Sequence, residues 1–93
     1  MPVKSVLIDI YIPSSRSLKN KRSVVQGMLK KIRNRFNVSV AEIDGLDKWQ
    51  QAVVGITIIS NSAVILEKTH SDIISFIENN YSDVQVSAVR DYI

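Results

Sequence analysis

Residues 3–12 read Val3-Lys4-Ser5-Val6-Leu7-Ile8-Asp9-Ile10-Tyr11-Ile12. Val6, Ile8, Ile10 and Ile12 share one parity, and Ser5, Leu7, Asp9 and Tyr11 share the other. A strand sends successive side chains to opposite faces, so this alternation describes a strand with one face in a core. Pro13 and the serines at 14, 15 and 17 close it, and Ser17 stands where a helix N-cap belongs. The period then changes. Leu18, Val25, Leu29, Ile32 and Phe36 recur at three-, four- and seven-residue spacings, which predicts an amphipathic helix over Leu18–Asn34. Gly27, inside that helix, costs about 1 kcal/mol relative to alanine and suggests close packing.

Four more segments follow. Asn37–Asp44 reads as a strand of poor alternation, with Val38 and Val40 on one parity and Ala41 and Ile43 on the other. Either both faces are partly buried or a bulge intervenes. Gly45-Leu46-Asp47-Lys48 is a turn, and Trp49–Ser60 is a third strand that puts Ala52, Val54, Ile56 and Ile58 on one side. Asn61 or Ser62 caps a second helix running to about Asn79, with a core stripe of Leu66, Thr69, Ile73, Phe76 and Ile77. After a turn through Asp83, Val84–Ile93 is the last strand.

The order βαββαβ packs most economically as one α+β domain over residues 1–93. This is the ferredoxin-like arrangement: a four-stranded antiparallel sheet with both helices on one face. The first and third strands, the most apolar, take its centre. The other sheet face then carries Leu7, Tyr11, Val53 and Ile59, which is too apolar for a face left in water. The simplest cover is a second copy, so a homodimer is expected through Leu7, Tyr11, Val53, Ile59 and the nearby Trp49.

Composition narrows the chemistry. The chain has no cysteine, which excludes disulfides, thiolate metal sites and cysteine nucleophiles. A single histidine cannot build a histidine-rich metal site, and no cofactor motif is visible. The most apolar stretch, Ala52–Ile59, is far too short to span a bilayer, and no secretory leader pattern opens the sequence. A cytoplasmic protein with no membrane contact is the expectation.

Charge is polarised. Eight of the twelve basic residues lie between Arg16 and Arg35, and no acid occurs from Ile10 to Ala41. That window carries +8; the four remaining bases and nine acids carry −5, giving the net +3. At 100° per residue, Lys19, Arg22, Gln26, Lys30 and Arg33 fall on one flank of the first helix, beside the core stripe. Lys31 and Arg35 fall on the opposite flank. A helix of this length runs about 25 Å, enough to follow several phosphates of an RNA backbone. A charge run is more commonly a solvated face, but a mixed-sign face would serve solubility equally well. Arg16, Lys19, Lys21 and Arg22 also crowd a helix N-terminus, where the dipole disfavours positive charge. A bound phosphate would relieve that conflict. So would pairing of Lys21 and Arg22 with carboxylates elsewhere, such as Glu42 or Asp44. The candidate nucleic-acid or anion-binding residues are therefore Arg16, Lys19, Lys21, Arg22, Lys30 and Arg33.

Three separated stretches go further. Ser17-Leu18-Lys19-x-Lys21-Arg22-x-Val24-Val25, then Arg33-x-Arg35-Phe36-Asn37-Val38-Ser39-Val40-Ala41-Glu42-Ile43, then Asp47-x-Trp49-Gln50, resemble the bacterial YlxP-like family over the first two-thirds of the chain. Glu67-Lys68 looks family-like too. The resemblance implies a ferredoxin-like domain of unknown function and identifies no reaction. Genes of the family often lie beside those of translation-initiation and ribosome-maturation factors, which implies a ribosome-related role by association.

Other readings weigh less. RNA-recognition motifs share this topology but carry aromatics on the third strand, and Ala52–Ile59 has none. Acylphosphatases share the fold and use a loop arginine and an asparagine; Arg16 and Asn37 invite that comparison, but no glycine-rich phosphate loop follows the first strand. Asp44 with Asp47 would suit Mg²⁺, although two carboxylates in a turn are commonplace. Trp49 serves either as an interface anchor or stacking platform or, the favoured option, as packing against the open sheet face or a partner copy. His70, at the edge of the second helix's core stripe, reads as a packed or surface residue rather than a general base. Asp9 on the open face pairs with a lysine or marks a functional spot. The expectation is a non-catalytic protein docking on RNA or a ribosomal particle through its basic helix. The alternatives are a small-anion-binding regulatory module and an acylphosphatase-like enzyme.

Overall fold

The computed structural model describes residues 1–92. Its elements are β1 (Val3–Tyr11), α1 (Leu18–Arg35), β2 (Ser39–Asp44), β3 (Gln51–Ile59), α2 (Ala63–Asn80) and β4 (Gln85–Asp91). The sheet order is β2-β3-β1-β4 and every pairing is antiparallel, which is the ferredoxin-like fold. β1 and β3 pair along their whole length, from Val3 opposite Ile59 to Tyr11 opposite Gln51. The last expected strand residue, Ile93, lies outside the described residues.

Both inner strands send one parity into the core. Val6, Ile8, Ile10 and Ile12 with Ala52, Val54, Ile56 and Ile58 form its floor, and Val25, Met28, Leu29 and Ile32 of α1 with Leu66, Ile73 and Ile77 of α2 form its roof. Met28, absent from the expected stripe, is fully buried; Thr69 and Phe76 of the expected α2 stripe are only half-buried. Ser17 caps α1 by accepting from Asn20 N–H at 3.0 Å, and Ser62 caps α2 by accepting from Ile65 N–H at 3.3 Å. Among the described residues no helix is long and apolar enough to cross a membrane.

Two bulges adjust the edge strands. The β2 register slips between Glu42 and Asp44; up to there the strand alternates regularly, and its pattern is poor because Ala41 and Ile43 are apolar residues on the open side. Val40 and Glu42 face the helices, opposite Ile56 and Val54, while Ala41 and Ile43 lie on the open side. A second slip leaves Ser87 of β4 as the extra residue, and its hydroxyl donates to the carbonyl of Asp9 at 3.1 Å.

Gly27 corrects an expectation. It lies on the exposed side of α1, and a side chain built on it would meet nothing within 4 Å among the described residues. No packing inside the molecule requires it. Gly45 and Gly55 do have local reasons. Gly45 turns the chain at φ +74°. Gly55 lies beneath Ile43, whose Cγ1 would sit 2.7 Å from a Cβ at that position.

Candidate nucleic-acid interface

The six candidate cations separate by depth. Lys21 is fully buried, and this removes it from any surface site. Its Nζ donates to Glu42 Oε2 at 3.0 Å, to the carbonyl of Gly45 at 2.6 Å and to the carbonyl of Gln51 at 3.2 Å. An ammonium has three hydrogens, so every donor is used. Glu42 is buried beside it, its side chain 3% exposed. The pair ties α1 to the bulged end of β2 and to the turn before β3. The carboxylate-pairing alternative therefore holds for Lys21, and Arg22 stays exposed.

Arg16, Lys19, Arg22 and Lys30 are exposed, and among the described residues none has a carboxylate within ion-pair distance. Apart from the buried Lys21, the cations that are paired lie elsewhere: Lys4 with Glu67 and Asp91, Lys68 with Asp72, and Arg90 with Asp9. Arg33 is partly committed, because its Nη1 donates to the Val40 carbonyl at 3.2 Å. That bond covers part of β2, an edge strand, with a charged side chain. The result is a cationic flank along α1 that borders the β2 edge.

The opposite flank of α1 faces an aromatic cluster. Phe36 and Phe76 meet edge-to-face with centroids 5.9 Å apart, and Tyr81 follows at 6.3 Å from Phe76. The Arg35 guanidinium lies 5.3 Å from the Phe76 centroid, and Lys31 Nζ lies 5.6 Å from the Tyr81 centroid. These two cations hold the C-terminal halves of the helices together as well as presenting charge.

The open sheet face is mixed rather than uniformly apolar. Leu7 and Val53 are half-buried, Tyr11 is 36% exposed, and Ile59 is 50% exposed. Asp9 is paired with Arg90 Nη2 at 2.7 Å, so its partner is an arginine of the neighbouring strand rather than a lysine. Ser5 and Thr57 share a hydrogen bond of 2.8 Å. A groove of about 490 Å³ opens beside Leu7, Ala41, Ile43, Gly55 and Tyr92. Sequence reading missed Ile43 and Tyr92 here; plain alternation from an inward Val40 is the signal that would have put Ile43 on this side. Trp49 projects from the turn before β3, 57% exposed.

The remaining candidates occupy separate places. Arg16 and Asn37 flank opposite ends of the 18-residue α1, about 27 Å apart along its axis, so they do not face one site. Asp44 Oδ1 accepts from Gly45 N–H at 2.8 Å and shapes the turn. Among the described residues no three histidine or acidic side chains cluster as a metal site would need.

Comparison with known proteins agrees with the motifs. A family profile described as a protein of unknown function, DUF503, matches residues 3–91. The chain belongs to that family. It is similar to the uncharacterised protein YlxP of Bacillus subtilis (strain 168), with 41% identity over 71 residues, which is 76% of this chain and 77% of the relative. Several motif residues of this DUF503 member are now seen to hold the fold. Lys21 of the first motif pairs with Glu42 of the second. Gln50 of the third reaches back, its Nε2 donating to the carbonyls of Pro13 and Ser15 in the loop before α1. Lys19, Arg22, Asn37 and Trp49 are among the motif residues left exposed.

Proposed function

We propose that this protein is a non-catalytic binding protein that docks on RNA, as a free strand or on a ribosomal particle, through the cationic flank of α1. The observation that carries this reading is the length of unpaired charge. From Lys19 to Lys30 the exposed cations extend about 16 Å along the helix, and Arg16 and Arg33 lengthen the row at either end. A single small anion cannot span that row, and the helix-start cluster that would hold one has lost Lys21 to the interior. A polyanion neutralises the whole row and releases counterions as it does so. The reading places the protein in the cytoplasm. It also has two copies meeting through the open sheet face, with Tyr11, Ile59 and the Trp49 turn at the contact.

Co-sedimentation with purified ribosomal subunits across a salt series tests the docking helix. Four or five phosphate contacts predict a slope of log K against log salt of about −3 to −4.5, depending on strand type. A Lys19/Arg22/Lys30/Arg33 charge-reversed variant should lose binding while keeping its circular dichroism. Equal sedimentation of the two proteins would sink the reading.

A further inference from the structure

Gly27 is unexplained by the fold. It has no positive φ, no neighbour within 4 Å of where a side chain would begin, and a mid-helix position where glycine is among the poorest choices. It also lies within the axial span of that row, about 60° round the helix from Lys30, on the solvent face between the two basic flanks. Ser23 is one turn before it. Lys30 and Lys31 follow at three and four positions, and helical side chains tilt back over the preceding turn, so both lysine stems lean towards the bare backbone at Gly27. Lys31 is drawn to one side by the Tyr81 ring, whereas Lys30 is exposed and has no carboxylate partner among the described residues. This leaves a notch: a strip of backbone with no side chain, bordered by a hydroxyl and an ammonium.

Building on the docking-helix reading, we infer that an RNA sugar–phosphate backbone crosses α1 at Gly27, close enough that any side chain there would hold it away. Charge alone does not call for a glycine, since a helix with alanine or glutamine at this position would present the same cations. A close approach does call for one, because direct contact between helix backbone and ribose–phosphate needs the absence of a Cβ. Lys30 then meets the phosphate on one side of the crossing and Ser23 on the other. The occupant is committed by charge complementarity: the notch lies between the two basic flanks, with Lys30 to one side and Lys31 to the other, and α1 carries no acid.

The two effects of filling the notch have opposite signs, and this makes the test sharp. Gly27→Ala and Gly27→Gln should each raise the melting temperature, by about 4–8 °C for a chain of this size, because a better helix former replaces glycine in open space. Gly27→Gln should at the same time bind a fluorescein-labelled fragment of ribosomal RNA about tenfold more weakly. Its salt slope should be shallower by about 1 for each phosphate that no longer meets a cation. The wild type and the charge-reversed variant are measured alongside. A Gly27→Gln variant that is more stable and binds like the wild type overturns the crossing and leaves the docking helix standing. A variant that melts lower than the wild type also overturns it, since the glycine would then serve the fold. Wild-type protein that does not bind at low salt removes the docking reading and this inference together.

Discussion

Lys21 shows how a residue's place on a helix outweighs its chemistry. Grouped by charge it belongs with Lys19 and Arg22, and by angle it belongs with Val25, Met28 and Ile32, at four, seven and eleven positions on. The angle wins because the inward parity of β2 supplies Glu42 and the turn supplies two carbonyls. Both signals were in the sequence, but neither element alone reveals that they meet. Replacing Lys21 by Met should destabilise the fold by about 3–5 kcal/mol in urea titrations, because Glu42 is left as a buried charge without its partner. Adding Glu42→Leu should recover much of that loss, and a double variant no more stable than the single would show that the carboxylate is not the cause. His70 carries a second residue-scale consequence. Burial first, and the nearby Lys4 charge second, lower its pKa from the ordinary 6.5, against the smaller opposing pull of Glu67 and Asp91. Its Nε2 is buried with no hydrogen-bond partner among the described residues. The folded state therefore favours the neutral ring. Stability should be flat above pH 6.5, fall as the pH drops through 6.5, and level off below the lower folded value. Thermal melts of wild type and His70→Gln across this range check the sign: the substitution should flatten the fall, and an unchanged pH profile would assign it to other groups.

At the scale of elements, α1 carries the largest conflict between stability and charge. Its first turn contains no acid, and two exposed cations, Arg16 just before it and Lys19 within it, stand at the positive end of the helix dipole. Lys19→Glu should raise stability by a few tenths to about 1 kcal/mol at low salt, the gain shrinking as salt screens it, while weakening the proposed RNA binding. Thermal melts and binding titrations at two salt concentrations check both halves; loss of stability would mean that Lys19 is anchoring the first turn in a way its exposure does not suggest. Element boundaries are legible where one period runs uninterrupted, as in β1, α1 and β3. β2 is ambiguous because it is six residues long and carries apolar residues on both faces, Val40 inward and Ala41 and Ile43 outward. The strand also starts later than the pattern suggests, since Asn37 and Val38 are extended-looking residues that pair with no strand. Plain alternation from the inward Val40 leaves Glu42 facing Lys21 and Ile43 out over Gly55, and the bulge follows at the end of the strand.

For the whole molecule, the topology is readable because six segments with distinct periods admit few packings, and the two most apolar strands have to be central. The working surfaces are less readable. Which cations of a run stay exposed depends on a strand twenty residues away, and the character of the open sheet face depends on β4, whose Arg90 neutralises Asp9. That ion pair bears on the proposed dimer. It removes an uncompensated acid from the middle of the face, so two copies could close over it without burying a lone charge. Tyr11 and Ile59 lie at opposite ends of the β1–β3 pair, eight strand positions or about 26 Å apart, and both are exposed. In an antiparallel two-fold contact each end of one copy would meet an end of the other. Tyr11→Asp and Ile59→Asp remove little from the monomer's own core, so their melting curves at low protein concentration should stay close to one another. Light scattering behind size exclusion should give twice the single-chain mass for the wild type and the single-chain mass for the Tyr11/Ile59 double variant. A wild type that keeps the single-chain mass at every concentration would leave this face to a different partner. The proposed docking role of α1, on the far side of the sheet, would be unaffected by that outcome.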